Sequence, residues 1–437
     1  MNGHHGYGPR MDGFHARLDA YALSCRKPGA ATLEDVRGVL RKPRLDEGDF
    51  ALLLSPAAGE ELEAMARRAR ADTLRHFGKA RQLFAPLYMG NYCINRCVYC
   101  GFHAGQAIER RALSPGAIED EAKALASTGL RRVLTLTGDA PERTGAEYIA
   151  EGVAILARHF PSVGIEVQAL TTEEYALVVR SGADSMTMFQ ETYDPEQYAR
   201  LHLAGPKRNF AFRLDAPHRA AEAGMRGITL GVLLGLGDWR FDVFMLGMHG
   251  QWLQRLFPQL ELAFSLPRIQ PRSEEETRND VGRDQGRSIF EPQIVTDREF
   301  VQALTALRCF MPHAGITLST RERAFLRDRL LDIGVTKLSA GACTSVGGYT
   351  RPFPSKGKLR HCPGAGLAGD AVQFVIDDER SVSQMAVDLE RLGFQPVFAD
   401  WLLPKDGNMP LTGALRRSLG GISDMPGSRV GRSSLQG

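Results

Sequence analysis

The stretch FAPLYMGNYCINRCVYCGFH, residues 84–103, joins a short apolar run directly to a loop with three cysteines. FAPLYM (84–89) has the length and composition of a β-strand. Cys93, Cys97 and Cys100 follow it in the spacing C-x3-C-x2-C. Runs of the same kind recur at RVLTLT (132–137), IEVQAL (165–170), SMTMFQ (185–190), ITLGVLL (228–234), LAFSLP (262–267), GITLST (315–320) and VTKLSA (335–340). Helical patterns such as SPGAIEDEAKALASTG and TDREFVQALTALRCFM lie between them. Near-continuous apolar strands alternating with helices imply a parallel sheet covered on its faces. Eight such repeats fit an α/β fold, a (βα)8 TIM-type barrel, closed or partly open. A doubly wound open sheet is the competing arrangement. In a barrel of this kind the loops at the carboxyl ends of the strands build the active site, and the cysteine loop is one of them.

The barrel is assigned to residues 81–341. Residues 1–31, rich in Gly and His at their start, read as a flexible leader, and 32–80 as a helical extension. Ser55-Pro56 is an N-cap followed by a first-turn proline, and Gly78 is a stop. After residue 341 the rhythm fails. Residues 342–404, with one helix at 381–393, read as a segment closing one end of the barrel, and 405–437 as a disordered tail.

Of 437 residues, 43% are hydrophobic and 24% charged, an ordinary globular composition with ample material for a large core. Net charge is +3 and no basic stripe with interleaved aromatics occurs, so no nucleic-acid partner is expected. No run of 18 apolar residues is present, so no membrane span is expected, and a cytoplasmic location follows as the working expectation. In that setting clustered cysteines are read as metal-binding or catalytic before they are read as disulfides.

Three cysteines leave a ligand count to explain. Structural zinc prefers four Cys or His ligands in two short pairs, and the nearest fourth donor is His103. Three closely spaced thiolates suit a 4Fe-4S cluster, with one iron left open for a substrate or cofactor. Three incidental thiols complete the alternatives. Cys25, Cys309 and Cys343 read as small buried thiols, and a second metal site from Cys343, His361 and Cys362 is a minor alternative.

C-x3-C-x2-C with an aromatic, Tyr99, before the third Cys resembles the signature of radical S-adenosylmethionine (SAM) enzymes. The longer strings TLTGDAPERTGAEYIAEGV, MFQETYDPEQYARLHLAGPKRNFAFRLDAPHRAAEAGM, LGVLLGLGDWRFD, LSTRERAFLRDRLLDIGVTKLSAG and SVGGYT resemble the aromatic amino-acid lyases of that superfamily, nearest to 2-iminoacetate synthases. The likeness runs from about residue 35 to 402. It implies that Cys93, Cys97 and Cys100 hold a 4Fe-4S cluster, that SAM chelates the open iron, and that a 5′-deoxyadenosyl radical is released.

The same resemblance implies roles for other positions. Gly138 and Asp139, at the end of the second strand, are expected at the SAM amino group, although Asp139 is one methylene shorter than the Glu of the family pattern. Glu191, ending the fourth strand, is an expected cofactor contact, and Arg213 is expected to pair the cofactor's carboxylate. Gly231 and Leu236, in and after the fifth strand, are expected to let the backbone approach adenine or ribose. Arg321, after the seventh strand, is expected to bind the substrate carboxylate, with Ser339 nearby and Tyr88 facing the same pocket. Arg268 and Arg272 are weaker pocket candidates.

The function implied is Cα–Cβ cleavage of L-tyrosine to 2-iminoacetate and p-cresol for thiamine-thiazole biosynthesis. A reductant such as flavodoxin or ferredoxin, and a thiazole synthase, are the partners it implies. A tryptophan lyase making an indolic acid, a hydrogenase maturase, and a non-catalytic iron–sulfur or zinc scaffold are the alternatives. The maturase carries a further cluster on a C-x2-C motif, and no C-x2-C occurs here after residue 100.

Overall fold

Strand β1 (Ala80–Gly90) begins a ring of parallel strands that continues through β2 (Arg132–Thr137), β3 (Ser162–Glu166), β4 (Ser185–Glu191), β5 (Gly227–Val232), β6 (Glu261–Ser265), β7 (Gly315–Leu318) and β8 (Lys337–Ser339). The ring closes where β8 returns to β1, with Gln82 opposite Lys337 and Phe84 opposite Ser339. Closure identifies the (βα)8 barrel over the open doubly wound sheet. The computed structural model describes residues 31–269, 283–284, 287–288, 290–355, 358–361 and 373–398. Residues 1–30 of the expected leader and all of the 405–437 tail lie outside them, as do Cys25, Arg272 and Cys362.

Local signals account for most of the elements. Among the described residues four helices precede β1, Leu33–Arg41, Glu47–Leu53, Pro56–Glu60 and Leu62–Phe77, and two of them are opened by capping boxes, Thr32 with Asp35 and Asp46 with Asp49. Ser55 caps the third, with Pro56 at its first position. Gly78, at φ 56°, ends the fourth. The last three of these helices pack on helix Asp297–Phe310, where the rings of Phe50 and Phe310 stack at 4.3 Å. Both rings belong to one continuous core. Burying each contributes roughly 1.5–3 kcal/mol.

Two expectations are corrected. The third strand is Ser162–Glu166, not 165–170. Gly164 looks like a break in the sequence, yet it sits mid-strand because a Cβ there would lie 3.0 Å from Ser185 Oγ and 3.2 Å from Leu134 Cδ1. The segment after 341 serves both ends of the barrel rather than one. Gln373, Phe374 and Val375 line the mouth at the carboxyl ends. A ninth strand, β9 (Gln395–Val397), pairs with Ala80–Gln82 at the opposite end of β1. Among the described residues no helix is long and apolar enough to cross a membrane.

Candidate active site

The cysteine loop is clamped between two neighbouring segments. On one side Ile94 N–H donates to the Asp139 carbonyl at 2.9 Å, and Asn95 Nδ2 donates to Asp139 Oδ2 at 2.6 Å. On the other, a short ladder joins it to the chain after β4: Arg96 N–H to Ala204 O (2.9 Å), Val98 N–H to Leu201 O (3.1 Å) and Leu203 N–H to Arg96 O (3.0 Å). Arg110 wraps the loop from behind, donating to the carbonyls of Asn91, Phe102 and His103, each at 2.7 Å. Two glycines make the close approach possible. A Cβ on Gly138 would lie 2.3 Å from Tyr92 O, and one on Gly205 (φ 92°) would lie 2.2 Å from Asn95 Oδ1.

Tyr99 is held by its hydroxyl, which donates to His202 Nε2 at 2.8 Å. His202 is fully buried, and burial pushes its pKa down to about 2, helped by the Lys207 charge. The neutral ring must therefore carry its proton on Nδ1, which lies 2.8 Å from the Tyr198 carbonyl. Burial also favours the protonated cysteines: Cys93 is pushed up to about 11, with Asp139 adding to the effect, and Cys97 and Cys100 are raised. Thiolates here need a cation of the kind a metal cluster supplies.

Beside this loop a cavity of about 470 Å³ runs down the barrel. Tyr88, Tyr99, Cys100, Glu191, Arg321 and Ser339 all line it. Glu191 sits at the end of β4 after a bulge and, among the described residues, is the one non-glycine residue with positive φ, 73°. That conformation turns its carboxylate toward Lys207, whose Nζ lies 2.6 Å from Oε1. The Arg321 guanidinium stacks 3.8 Å over the Phe374 ring, and burial lowers its pKa. Ser339 Oγ accepts the N–H of Thr320 at 3.0 Å and so fixes the turn that carries Arg321. Tyr88 donates its hydroxyl to Gln373 Oε1 at 2.5 Å, and burial raises its pKa.

Other expected residues stand off the cavity wall. Arg213 is buried behind the β4 bulge, its Nε donating to Phe189 O at 2.8 Å. Gly231 faces the Phe189 ring, which would be 2.3 Å from an added Cβ, so here it accommodates that ring rather than a ligand. Leu236 packs with Val98, Leu201 and Leu233. Arg268 is no pocket residue: it is tied to Glu322, to Asp297 Oδ1 (2.9 Å) and to Val295 O (2.9 Å). Cys309 is the buried free thiol expected, but Cys343 is disulfide-bonded and not a free thiol. The sequence does not single out Asn95, Glu166, His202 or Lys207. Each is an ordinary polar residue in sequence and gains its place only through contacts between distant segments.

The donor set fits an iron–sulfur cluster. Three thiols share one clamped loop whose Cys100 lines a cavity, the donor set of a cluster that leaves one iron open. Comparison with known proteins agrees with this donor chemistry. Residues 87–245 match the radical SAM superfamily model, and 265–395 match the biotin and thiamin synthesis associated domain. The chain is 34% identical to 2-iminoacetate synthase of Escherichia coli (strain K12) over 371 residues, 85% of this chain and 91% of that one. The Salmonella typhimurium enzyme of that name is also 34% identical, over 372 residues, 85% of this chain and 91% of that one. The FeFe-hydrogenase maturase HydG from Carboxydothermus hydrogenoformans superposes with a TM-score of 0.77 at 29% identity, covering 90% of this chain and 86% of that one.

Proposed function

The chain belongs to the 2-iminoacetate synthase family of the radical SAM superfamily, and on that premise we propose that it cleaves the Cα–Cβ bond of L-tyrosine to 2-iminoacetate and p-cresol. It is a radical SAM lyase, with a 4Fe-4S cluster and SAM as cofactors. We assign the cluster to Cys93, Cys97 and Cys100. Once bound, the two cofactors together supply a 5′-deoxyadenosyl radical, and the rest is positioning by this chain.

The observation that carries the reading is the cavity, whose wall combines Cys100 and Tyr99 with Arg321, Ser339 and the apolar side chains of Phe84, Leu134 and Met186. Arg321 offers a planar two-pronged donor for an amino-acid carboxylate. The apolar wall takes the ring. Glu191 and Lys207 on the cavity wall, with Asp139 and Arg213 behind it, supply the charge of the region in which we place SAM. The enclosure keeps water from the reacting centre and holds the substrate close to it. A flavodoxin- or ferredoxin-type reductant delivers the electron, and a thiazole synthase receives the imine for thiamine.

The maturase reading has the structural likeness to HydG behind it. Against it, the cysteines after residue 100 are Cys309, Cys343 and Cys362, with no C-x2-C pair among them. The test is anaerobic reconstitution followed by incubation with SAM, reductant and either amino acid. p-Cresol and 5′-deoxyadenosine from L-tyrosine support the proposal. An indolic acid from L-tryptophan with no turnover of tyrosine overturns it, as does carbon monoxide release.

A further inference from the structure

Glu166 is a carboxylate that the assigned roles leave unused. It ends β3 and lines the cavity, half-buried, on the wall with Tyr88, Glu191 and Arg321. The other carboxylate on that wall, Glu191, has Lys207 at 2.6 Å. Glu166 has no described side chain at hydrogen-bonding distance. In a ring of eight strands, β3 and β7 lie four places apart and face each other across the axis. Arg321, three residues beyond β7, and Glu166 therefore line the cavity from opposite strands, one a cation and the other a carboxylate.

A zwitterionic amino acid carries the complementary pair on one carbon. With its carboxylate on Arg321, its ammonium is directed to the opposite wall. In that orientation the ring hydroxyl, at the far end of the substrate, would be directed to the part of the cavity lined by Leu134, Met186 and Phe84. We propose that Glu166 binds the ammonium group of the amino-acid substrate and takes one proton from it, so that a neutral amine is presented to the reactive centre. The proposal rests on the amino-acid lyase reading above. The balance is simple: one N–H proton moves to a carboxylate oxygen, the nitrogen keeps its electron pair, and no oxidant or reductant is required.

The charged neighbours are consistent with this use. Burial and then the Glu191 charge push Glu166 up to about 7, against the pull of Arg321, Lys207 and Arg213. Tyr88 and Tyr99, which also line the cavity, stay neutral because burial raises both phenols. A carboxyl poised near neutrality is suited to proton acceptance. The same cavity desolvates the ammonium and lowers its pKa toward that of its acceptor.

The test is binding of L-tyrosine, 3-(4-hydroxyphenyl)propanoate, which lacks the amine, and L-phenylalanine, which lacks the ring hydroxyl. Affinities are measured on cluster-loaded, SAM-bound wild type and E166Q. Wild type is expected to lose about 10- to 100-fold in affinity without the amine, the worth of one charge-assisted hydrogen bond. In E166Q that loss should shrink to under about 3-fold, while the tyrosine-to-phenylalanine ratio is unchanged. An intact amine preference in E166Q overturns the proposal. So does loss of the hydroxyl preference instead, which would assign Glu166 to the ring. If E166Q fails to assemble, E166D replaces it: the shorter acid should weaken the amine preference several-fold, and an unchanged preference overturns the proposal. Wild type that makes p-cresol beside an unaltered E166Q fails this inference alone. Tryptophan turnover with the same Glu166-dependent amine preference fails the tyrosine reading alone.

Discussion

Lys207 Nζ lies 2.6 Å from Glu191 Oε1, joining the turn after β4 to the end of the strand itself, with both side chains almost wholly withdrawn from solvent. The lysine also lies 5.6 Å from the centre of the Tyr99 ring, and its backbone N–H donates to Asn95 Oδ1 at 3.0 Å. One residue thus touches both the cysteine loop and the strand end. K207M leaves Glu191 buried without its cation, which costs about 3–5 kcal/mol. In K207M/E191Q the orphaned charge is gone, and a coupling of about 1–3 kcal/mol should appear in urea unfolding of the four proteins. Strict additivity would show that the pair contributes nothing.

Arg110 is the donor for three carbonyls of the cysteine loop, at Asn91, Phe102 and His103. No other described side chain replaces it at those oxygens. R110A should keep its secondary structure, because the barrel core is elsewhere, yet hold less than about half the iron of wild type after anaerobic reconstitution, because the hydrogen bonds that hold a ligand-bearing loop in place help retain the metal. Full iron content with normal cluster absorbance would refute the role.

The barrel was legible because its strands are apolar runs at the spacing of β-α repeats, and a parallel strand buried on both faces leaves that mark locally. The cysteine triplet was legible for the same reason, since all three thiols sit within eight positions. The rest of the site is not local. Asn95 meets Asp139 across 44 residues, Tyr99 meets His202 across 103, and Tyr88 meets Gln373 across 285. Nothing at Lys207 or Glu166 distinguishes it from a surface charge until the barrel closes. Gly231 shows the converse: a glycine in a strand signals close approach, but its partner here is the Phe189 ring.

Ser339 and Arg321 should separate in kinetics. The serine hydroxyl accepts from Thr320 N–H at 3.0 Å, one residue before Arg321. S339A removes that acceptor and loosens the turn, so KM for the amino acid should rise by roughly 3- to 10-fold. R321K keeps the charge but loses the fork and the stacking on Phe374, so KM should rise by roughly 10- to 100-fold, with kcat less affected. Steady-state kinetics decides, and an unchanged KM in R321K would remove Arg321 from the substrate site.

Phe50 does not line the cavity; it stacks on Phe310 at 4.3 Å, and a Cβ on Gly247 would come within 2.4 Å of its ring. F50A should cost about 3–5 kcal/mol of stability through lost burial and an unfilled void. Iron content and SAM affinity of the folded fraction should match wild type. A loss of cluster without a loss of stability would show that the N-terminal helices support the site directly.

His202 sets a pH dependence whose sign follows from its burial. Its pKa is pushed down to about 2 in the fold, first by desolvation and then by Lys207, against an ordinary value of 6.5 when unfolded. The unfolded chain therefore binds the proton first. The contribution of the neutral ring is present above pH 6.5 and is lost as pH falls below it. Between pH 6.5 and 5 the protein should lose about 2 kcal/mol from this group alone. H202Q cannot take up that proton, so its stability should fall less over the same interval even if it starts lower, because Tyr99 has lost its acceptor. Chemical denaturation at the two pH values measures both slopes. Equal slopes in wild type and H202Q would mean that His202 is not the neutral acceptor holding Tyr99.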